Sequence, residues 1–279
     1  MRTRRIPVRG LEMTLREWGE KEGRPLLYWH GLNPFGALEP NEAGPAWAEA
    51  GFRVVSFAAP GIADPAAFAD LTDYRPTRLA ELVVGAADRL GIGRFAYVGW
   101  SWGASIGVHL GARHRDRLEA LVLLDAGHTD IPGDPERTLD DILAGISEQH
   151  ERYRFESWDA FFAAARETRP RWRMALEERL RAGMHEVDGA IVARSDRRAA
   201  AAAFHGLLRE QPSSTHAALG ASDLPVLLVL ATGNDTAAEV ERFRAAVPHA
   251  ELTSVDSSHD LLADVPEETI ALVAEWLGR

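Results

Sequence analysis

The stretch Gly99-Trp100-Ser101-Trp102-Gly103 joins two segments of different character. Residues 94–98 before it are typical of a short buried strand, and residues 104–110 after it are typical of the start of a helix. A serine at a sharp turn between a strand and a helix has a strained backbone that exposes its hydroxyl above the sheet edge. Glycines two residues to either side suit such a turn, because a Cβ there would collide where strand and helix cross. The stretch therefore predicts a turn that presents the Ser101 hydroxyl.

The composition of the chain limits its partners. It has 279 residues, 46% hydrophobic and 26% charged, which is ordinary for a globular protein with a large α/β domain and an inserted subdomain. The formal net charge of −11 argues against nucleic acid or an anionic membrane as a partner, since both would be repelled. Because the chain has no cysteine, disulfides, thiolate metal sites and cysteine nucleophiles are excluded.

The basic N-terminus, residues 1–7, is not followed by an apolar segment and does not predict a signal peptide. No apolar run is long enough to cross a membrane, so we expect a cytoplasmic protein with a small-molecule substrate. The basic residues are almost all arginine and alanine is abundant, which suggests a GC-rich bacterial genome. A homo-oligomer is compatible with the sequence, which does not decide the oligomeric state.

Strand-like and helix-like segments alternate along most of the chain. Helical spacing is found at residues 77–90 and 267–277, and strand-like runs stand at residues 11–18, 26–29, 52–57, 118–124, 224–230 and 251–255. This alternation predicts an α/β fold with a mostly parallel central sheet and helices on both faces.

Residues from about 127 to 221 break that alternation. They are mostly helical in composition, contain several aromatic residues and show no obvious buried strand. An insertion of this kind can cover the carboxyl ends of the strands, where such sheets bind ligands. We therefore predict a helical cap at residues 127–221, inserted into a core domain made of residues 1–126 and 222–279.

These features resemble the α/β-hydrolase fold family over nearly the whole chain. The resemblance is carried by the Ser101 turn, the strand that ends at Asp125, the apolar run 224–230, and two short motifs: His30-Gly31 after an early strand, and Ser258-His259-Asp260 near the end. It implies a catalytic triad in the chain order Ser, acid, His. That order is found in Ser101, Asp235 and His259.

The roles of the triad follow from the chemistry of acyl transfer. A serine hydroxyl is a poor nucleophile without a base within hydrogen-bond reach, and His259, on a loop after the last strand, is the expected base. The acid must accept the Nδ1 proton of the histidine. Asp235 follows strand 226–230, where most of the family has its acid, but it stands about one residue later than the usual Gly-x-x-Asp spacing. Asp125, at a position that some members use, remains the alternative.

The resemblance also implies an oxyanion hole made of two backbone N–H groups, those of Leu32 and Trp102. Trp102 begins a helix, whose dipole favours negative charge there. Leu32 follows His30-Gly31, where the family's early loop supplies the second donor. No cofactor and no metal site is predicted.

The expected function is that of an esterase-like or lactonase-like serine hydrolase. Such an enzyme cleaves a small carboxylic ester, thioester or lactone through an acyl-enzyme intermediate. A C–C bond hydrolase and a cofactor-free perhydrolase would use the same triad and stay open. A non-catalytic ligand-binding protein with a hydrolase-like pocket is the alternative from another class. The sequence does not identify the substrate.

Overall fold

The computed structural model describes residues 1–169, 171–233 and 236–279. Within these ranges, eight strands form one sheet, in the spatial order β1 (Arg2–Val8), β2 (Leu11–Trp18), β4 (Phe52–Phe57), β3 (Arg24–Trp29), β5 (Phe95–Trp100), β6 (Leu118–Leu124), β9 (Val226–Ala231) and β10 (Glu251–Val255). The β1–β2 and β2–β4 pairs are antiparallel, and the remaining pairs are parallel. The predicted mostly parallel sheet is confirmed.

Helices cover both faces of this sheet. Those outside the segment between β6 and β9 are α1 (Ala43–Glu49), α2 (Pro76–Arg89), α3 (Trp102–Arg113), α9 (Ala237–Ala246), α10 (Leu261–Asp264) and α11 (Pro266–Leu277). Helices α2 and α3 pack on one face, whereas α1 and α11 pack on the other. None of the described helices combines the length and the apolarity that a membrane span requires.

The central strand β3 is buried on both faces, and its side chains alternate between two hydrophobic cores. Leu27 and Trp29 belong to the core under α2 and α3. Leu26 and Tyr28 belong to the core under α1 and α11. Because successive residues of a strand point to opposite faces, a continuous apolar run fits a strand that has helices on both sides.

The sequence does not predict strand β1, because the basic N-terminal residues show no strand pattern. Only Ile6 and Val8 of this strand are buried. Residues 2–5 are exposed, and the strand is held by antiparallel pairing with β2. Its stability therefore comes from the neighbouring strand and two apolar contacts, not from a local signal.

The segment between β6 and β9, residues 125–225, is here called the insertion. It contains α4 (Leu139–Arg152), α5 (Trp158–Glu167), α6 (Met174–Ala182), α7 (Arg197–Arg209) and α8 (Ser213–Gly220), and a hairpin of β7 (Met184–Val187) and β8 (Ala190–Ala193). The sequence predicts helices but no strand here. The hairpin turns at Asp188 and Gly189, both at positive φ, and Asp-Gly is the local signal that such a turn gives. Four-residue strands are too short for a periodicity to show.

Two parts of the insertion pack differently. Ala202 and Leu207 of α7 and Leu219 of α8 belong to the same core as α2 and α3. Phe161 of α5 and Leu180 of α6 belong to a separate apolar cluster with the hairpin. The predicted domain boundaries at residues 127 and 221 stay a prediction.

The crossing of β5 and α3 leaves no room for side chains at the glycines around Ser101. A Cβ on Gly99 would lie 2.3 Å from the carbonyl oxygen of Gly103, and a Cβ on Gly103 would lie 2.1 Å from that of Trp29. Cβ atoms do not approach backbone this closely, so both positions require glycine.

We predict that Gly99→Ala lowers the free energy of unfolding by roughly 1–3 kcal/mol, because the added methyl group forces the backbone apart. Gly93→Ala is the matched control, since a Cβ on Gly93, in the loop before β5, meets nothing within 4 Å. The control should stay within about 0.5 kcal/mol of the parent protein. Urea unfolding of the three proteins measures both changes, and equal stabilities would contradict the steric argument.

Candidate active site

Ser101 occupies the predicted turn between β5 and α3. Its backbone has φ 54° and ψ −115°, a strained conformation that costs on the order of 1–3 kcal/mol for a residue other than glycine. The Ser101 N–H donates to the carbonyl oxygen of Leu124 at 3.1 Å, and the Tyr97 hydroxyl donates to the carbonyl oxygen of Gly103 at 2.9 Å. These hydrogen bonds hold the turn on both of its sides.

His259 lies between β10 and α10, and its two ring nitrogens contact two predicted site residues. Nε2 is 2.8 Å from Oγ of Ser101, and Nδ1 is 2.7 Å from Oδ2 of Asp125. A carboxylate only accepts, so Nδ1 carries the proton and Nε2 accepts from the serine hydroxyl. This tautomer is the one that a general base beside a serine needs.

Asp125 follows β6 and is fixed by the neighbouring strand β9. Its φ is +51°, its N–H donates to the carbonyl oxygen of Val229 at 2.8 Å, and its Oδ1 accepts from the Ala231 N–H at 2.8 Å. Only 1% of the Asp125 side chain is exposed, against 46% for His259. The carboxylate is therefore shielded from water, whereas the imidazole side chain is partly exposed.

Of the two acids that the sequence leaves open, the described structure brings Asp125 to His259. Asp235, the preferred acid, lies outside the described residues. The described start of its loop pairs with the histidine loop, since the Gly233 N–H donates to the carbonyl oxygen of Ser257 at 3.3 Å.

The proposed oxyanion donors lie on two adjacent elements. Trp102 begins α3, and Leu32 lies on the loop after β3, which α3 approaches closely at Gly103. Among the described residues, neither the Leu32 N–H nor the Trp102 N–H donates to a protein acceptor. Both N–H groups are therefore available to an oxygen of a ligand.

The loop that carries Leu32 is positioned by His30, which the sequence gives no role. Nε2 of His30 accepts from the Ala59 N–H at 3.0 Å, so Nδ1 carries the proton and donates to the carbonyl oxygen of Gly31 at 2.6 Å. Burial lowers the pKa of His30 to about 4. The ring is thus neutral near pH 7, with a fixed tautomer that orients the peptide unit before Leu32.

A buried ion cluster connects the insertion to the two loops of the site. Arg179 of α6 donates to Glu39 Oε1 at 2.8 Å and to Asp260 Oδ2 at 2.8 Å. Glu39, in the turn Gly36–Asn41, also accepts from the Tyr28 hydroxyl at 2.6 Å and from the Asn33 amide at 3.2 Å. Asp260 immediately follows His259. Arg179 therefore ties the Leu32 loop and the His259 loop to the same helix.

The charges in this cluster do not cancel, because one guanidinium faces two carboxylates. Burial above all, against the opposing charge of Arg179 and with a smaller effect of Asp260, raises the pKa of Glu39 from 4.5 to about 7. Burial opposes the positive charge of Arg179, but Asp260 and Glu39 outweigh it and raise its pKa. Glu39 is therefore the group of the cluster that takes up a proton near neutral pH.

Trp100 also holds the histidine loop in place. Its Nε1 donates to the carbonyl oxygen of His259 at 2.7 Å, and the two rings lie 5.4 Å apart. The guanidinium of Arg179 lies 5.7 Å from the centre of the Trp100 ring. Trp100 is thus part of the support of His259.

A second arginine of the insertion contacts the core beside the site. Arg173 donates to both carboxylate oxygens of Glu42, with Nη2 to Oε2 at 2.6 Å and Nε to Oε1 at 2.8 Å. It also donates to the carbonyl oxygens of Leu262 and Ala263 in α10. The insertion is therefore attached to α10 and to the segment between β3 and α1, as well as to Asp260 beside His259.

A cavity of about 800 Å³, called here the insertion cavity, lies between the insertion and the loop after β3. Leu32 and Asn33 of that loop line it together with residues of α4 and α5, most of them apolar. Ser101 and His259 are not among the lining residues, so the cavity adjoins the reacting groups without containing them.

Sequence reasoning missed the residues that support the site, namely His30, Glu39, Arg179 and the Trp100–His259 hydrogen bond. Glu39 and Arg179 are 140 positions apart, and a contact between such distant residues leaves no local pattern in the chain. His30 belongs to the His30-Gly31 motif. This motif indicates the position of the loop but does not reveal the role of the histidine side chain.

We predict that the ionisation of Glu39 measurably lowers the free energy of unfolding as the pH rises. The pKa of Glu39 is higher in the folded state than in the unfolded state. The contribution of Glu39 to stability is therefore fully present below about pH 4.5 and is lost progressively up to about pH 7. In Glu39→Gln this contribution is absent. The free energy of unfolding of the parent protein should therefore fall relative to the variant by on the order of 3 kcal/mol across that range. Urea titrations at several pH values measure the difference, and a constant difference would contradict the prediction.

Solved structures of similar fold cover nearly the whole chain. The thioesterase domain from the curacin biosynthetic pathway has 16% identity and a TM-score of 0.75, covering 100% of this chain and 99% of that one. E-2-(acetamidomethylene)succinate hydrolase has 20% identity and a TM-score of 0.78, with the same coverage. The enol-lactonase from Burkholderia xenovorans LB400 has 20% identity and a TM-score of 0.74, covering 99% and 100%. At these identities the likeness shows a shared fold.

The family itself is identified from the sequence. A comparison with curated proteins finds no match. A model of the family described as alpha/beta hydrolase fold matches residues 24–266, which includes β3, the Ser101 turn, the insertion and the His259 loop. This confirms the resemblance on which the sequence analysis relies. The chain belongs to the α/β-hydrolase fold family.

Proposed function

We propose that this protein is a serine hydrolase that cleaves a small carboxylic ester, thioester or lactone. The observation that carries the proposal is the chain of hydrogen bonds from Ser101 Oγ to His259 Nε2 at 2.8 Å, and from His259 Nδ1 to Asp125 Oδ2 at 2.7 Å. A nucleophile, a base and an orienting acid within hydrogen-bond reach form the arrangement that activates a serine. Membership of the family supports the same reaction class.

The first half-reaction forms the acyl-enzyme. Oγ of Ser101 attacks the carbonyl carbon of the substrate while Nε2 of His259 takes the hydroxyl proton, and Asp125 stabilises the imidazolium. The N–H groups of Leu32 and Trp102 would donate to the oxyanion of the tetrahedral intermediate. When the intermediate collapses, the carbon–oxygen or carbon–sulfur bond to the leaving group breaks, and Nε2 gives its proton to that group.

The second half-reaction consumes water. Nε2 of His259 takes a proton from a water molecule, which attacks the acyl carbon of the ester on Ser101. Collapse of the second tetrahedral intermediate breaks the bond to Oγ, which recovers its proton from the imidazolium. The free acid leaves, and in the case of a lactone the former leaving hydroxyl leaves as part of the same molecule.

Residues 127–221 of the insertion are proposed as the cap of the site. Arg179 and Arg173 attach it beside the Leu32 and His259 loops, and the insertion cavity lies beneath it. A small-molecule acyl or leaving group would occupy this cavity, whose volume is typical of ligand pockets.

A non-catalytic binding protein would be the better interpretation if no acid were well placed beside His259. Asp125 supplies an acid at hydrogen-bond distance from His259, and the loop after β3 leaves the Leu32 N–H without a protein acceptor among the described residues. A protein that only binds ligands has no need of either feature, so we favour the enzyme.

We predict that a fluorophosphonate probe labels the protein and that Ser101→Ala abolishes the labelling, because the probe reacts with an activated serine. Ser105→Ala is the matched control, as it removes a buried hydroxyl four residues further along α3. The control should keep its labelling, measured by gel fluorescence and mass spectrometry. Labelling that persists in Ser101→Ala would overturn the assignment of the nucleophile.

A second prediction assigns the acid. Asp125→Asn should lower kcat for short p-nitrophenyl esters by roughly 10³–10⁴-fold, because an amide in place of the carboxylate favours the wrong histidine tautomer. Asp235→Asn should change kcat only a few-fold. The two variants are compared by steady-state kinetics, with circular dichroism to check folding. The reverse order would make Asp235 the acid, and two small losses would reject both.

A further inference from the structure

The insertion cavity carries a charge opposite to that of the whole chain. Arg137 and Arg169 line it, and no Asp or Glu is among its described lining residues, although the chain has a net charge of −11. Most of the remaining wall is apolar, as at Ile142, Phe161 and Phe204. A cavity of this kind favours a ligand with an apolar body and a negative charge.

Arg169, two residues after the end of α5, forms no ion pair with an acidic side chain among the described residues. Its Nη1 donates to Thr168 Oγ1 at 3.1 Å and to the carbonyl oxygen of Ala165 at 3.5 Å. No carboxylate oxygen of the described residues lies within 4.0 Å of its nitrogens. The partly buried Arg173 and the buried Arg179 of the same insertion are both paired with carboxylates.

The partial burial of Arg169 makes the lack of an ion pair with a described acidic side chain significant. Its side chain is half-buried, and burial lowers its pKa. A guanidinium withdrawn from water is costly unless an anion pairs with it, and its planar set of donors matches a carboxylate in two parallel hydrogen bonds. Arg137 is more exposed and donates to the carbonyl oxygen of Asp141 at 3.1 Å, so it adds positive charge at the rim.

The same cavity reaches one of the proposed oxyanion donors. Leu32, whose N–H is a proposed oxyanion donor, lines the cavity together with Arg169. The charges of Asp260 and Asp264 raise the pKa of Arg169 and that of Arg179 lowers it, against a larger lowering by burial. A molecule in this cavity would lie against both Leu32 and Arg169.

We infer that the substrate is an ester, thioester or lactone whose acyl chain is apolar and ends in a carboxylate, and that Arg169 binds this carboxylate. The inference rests on the proposed function, because it assigns the far end of the substrate that Ser101 would attack. Arg169 thereby determines specificity and takes no part in the bond-breaking steps.

The test compares two p-nitrophenyl esters of the same dicarboxylic acid, one with a free terminal carboxylate and one with that carboxylate capped as its methyl ester. The parent protein should show a kcat/KM for p-nitrophenol release that is roughly 10–100-fold higher for the charged ester, the size expected of a charge-assisted hydrogen bond. Arg169→Gln should reduce this ratio to about 1 and leave the capped ester within about twofold. The capped ester thus also shows that the variant is folded.

Arg166→Gln is the matched control. Arg166 also lies at the end of α5, but it is exposed, pairs with Glu177 and does not line the cavity. Its removal should leave both rates and their ratio unchanged. Equal rates for the two esters in the parent protein, or an unchanged ratio in Arg169→Gln, would overturn the inference while the proposed function stands.

Failure of the proposed function has a different signature, namely no cleavage of either ester and no fluorophosphonate labelling. In that case the inference is tested by binding alone. Titration calorimetry of Ser101→Ala with the charged ester should show an affinity that Arg169→Gln, added to that variant, weakens by roughly 10–100-fold. An equal affinity of the two proteins, or no binding to either, would overturn it.

Discussion

The packing of the first turn of α3 against the end of β3 determines the geometry of the whole candidate site. A Cβ on Gly103 would lie 2.1 Å from the carbonyl oxygen of Trp29, so the two backbones are in direct contact. This contact forces Ser101 into a positive-φ turn and brings the loop that carries Leu32 beside the start of α3. The nucleophile and both proposed oxyanion donors therefore depend on one close approach of backbone to backbone.

The insertion contributes to the site through buried charge. Arg179 pairs with Glu39 and Asp260, which follow Leu32 and His259 on the two loops that the mechanism uses. Such a cluster is a poor source of net stability, since removing charges from water offsets much of their attraction, whereas losing one partner leaves a buried charge uncompensated. Its physical effect here is to fix where the insertion sits, and with it the cavity wall that carries Arg169.

Much of the fold was predictable because its signals are local. The strand–turn–helix around Ser101, the alternation of strands and helices, and the His259 motif all leave patterns within short windows of the chain. The family match confirms the family resemblance that these patterns indicated. The β7–β8 hairpin was not predicted because its strands have only four residues each. Strand β1 was not predicted because only two of its seven side chains are buried. The partner of His259 could not be chosen from spacing alone, since Asp125 and Asp235 both follow strands that end at the same edge of the sheet.

The sequence by itself determined the class of fold, the family, and the identities of Ser101 and His259 as the residues to examine, because each depends on neighbours within a few positions. Only the tertiary structure brought Asp125 to His259, joined Arg179 to Glu39 across 140 positions, and placed Arg169 on a cavity wall without an ion pair to any described acidic side chain. These are contacts between segments distant in the chain. They arise from the pairing of β6 with β9 and from the docking of the insertion, and no local pattern of residues encodes either one.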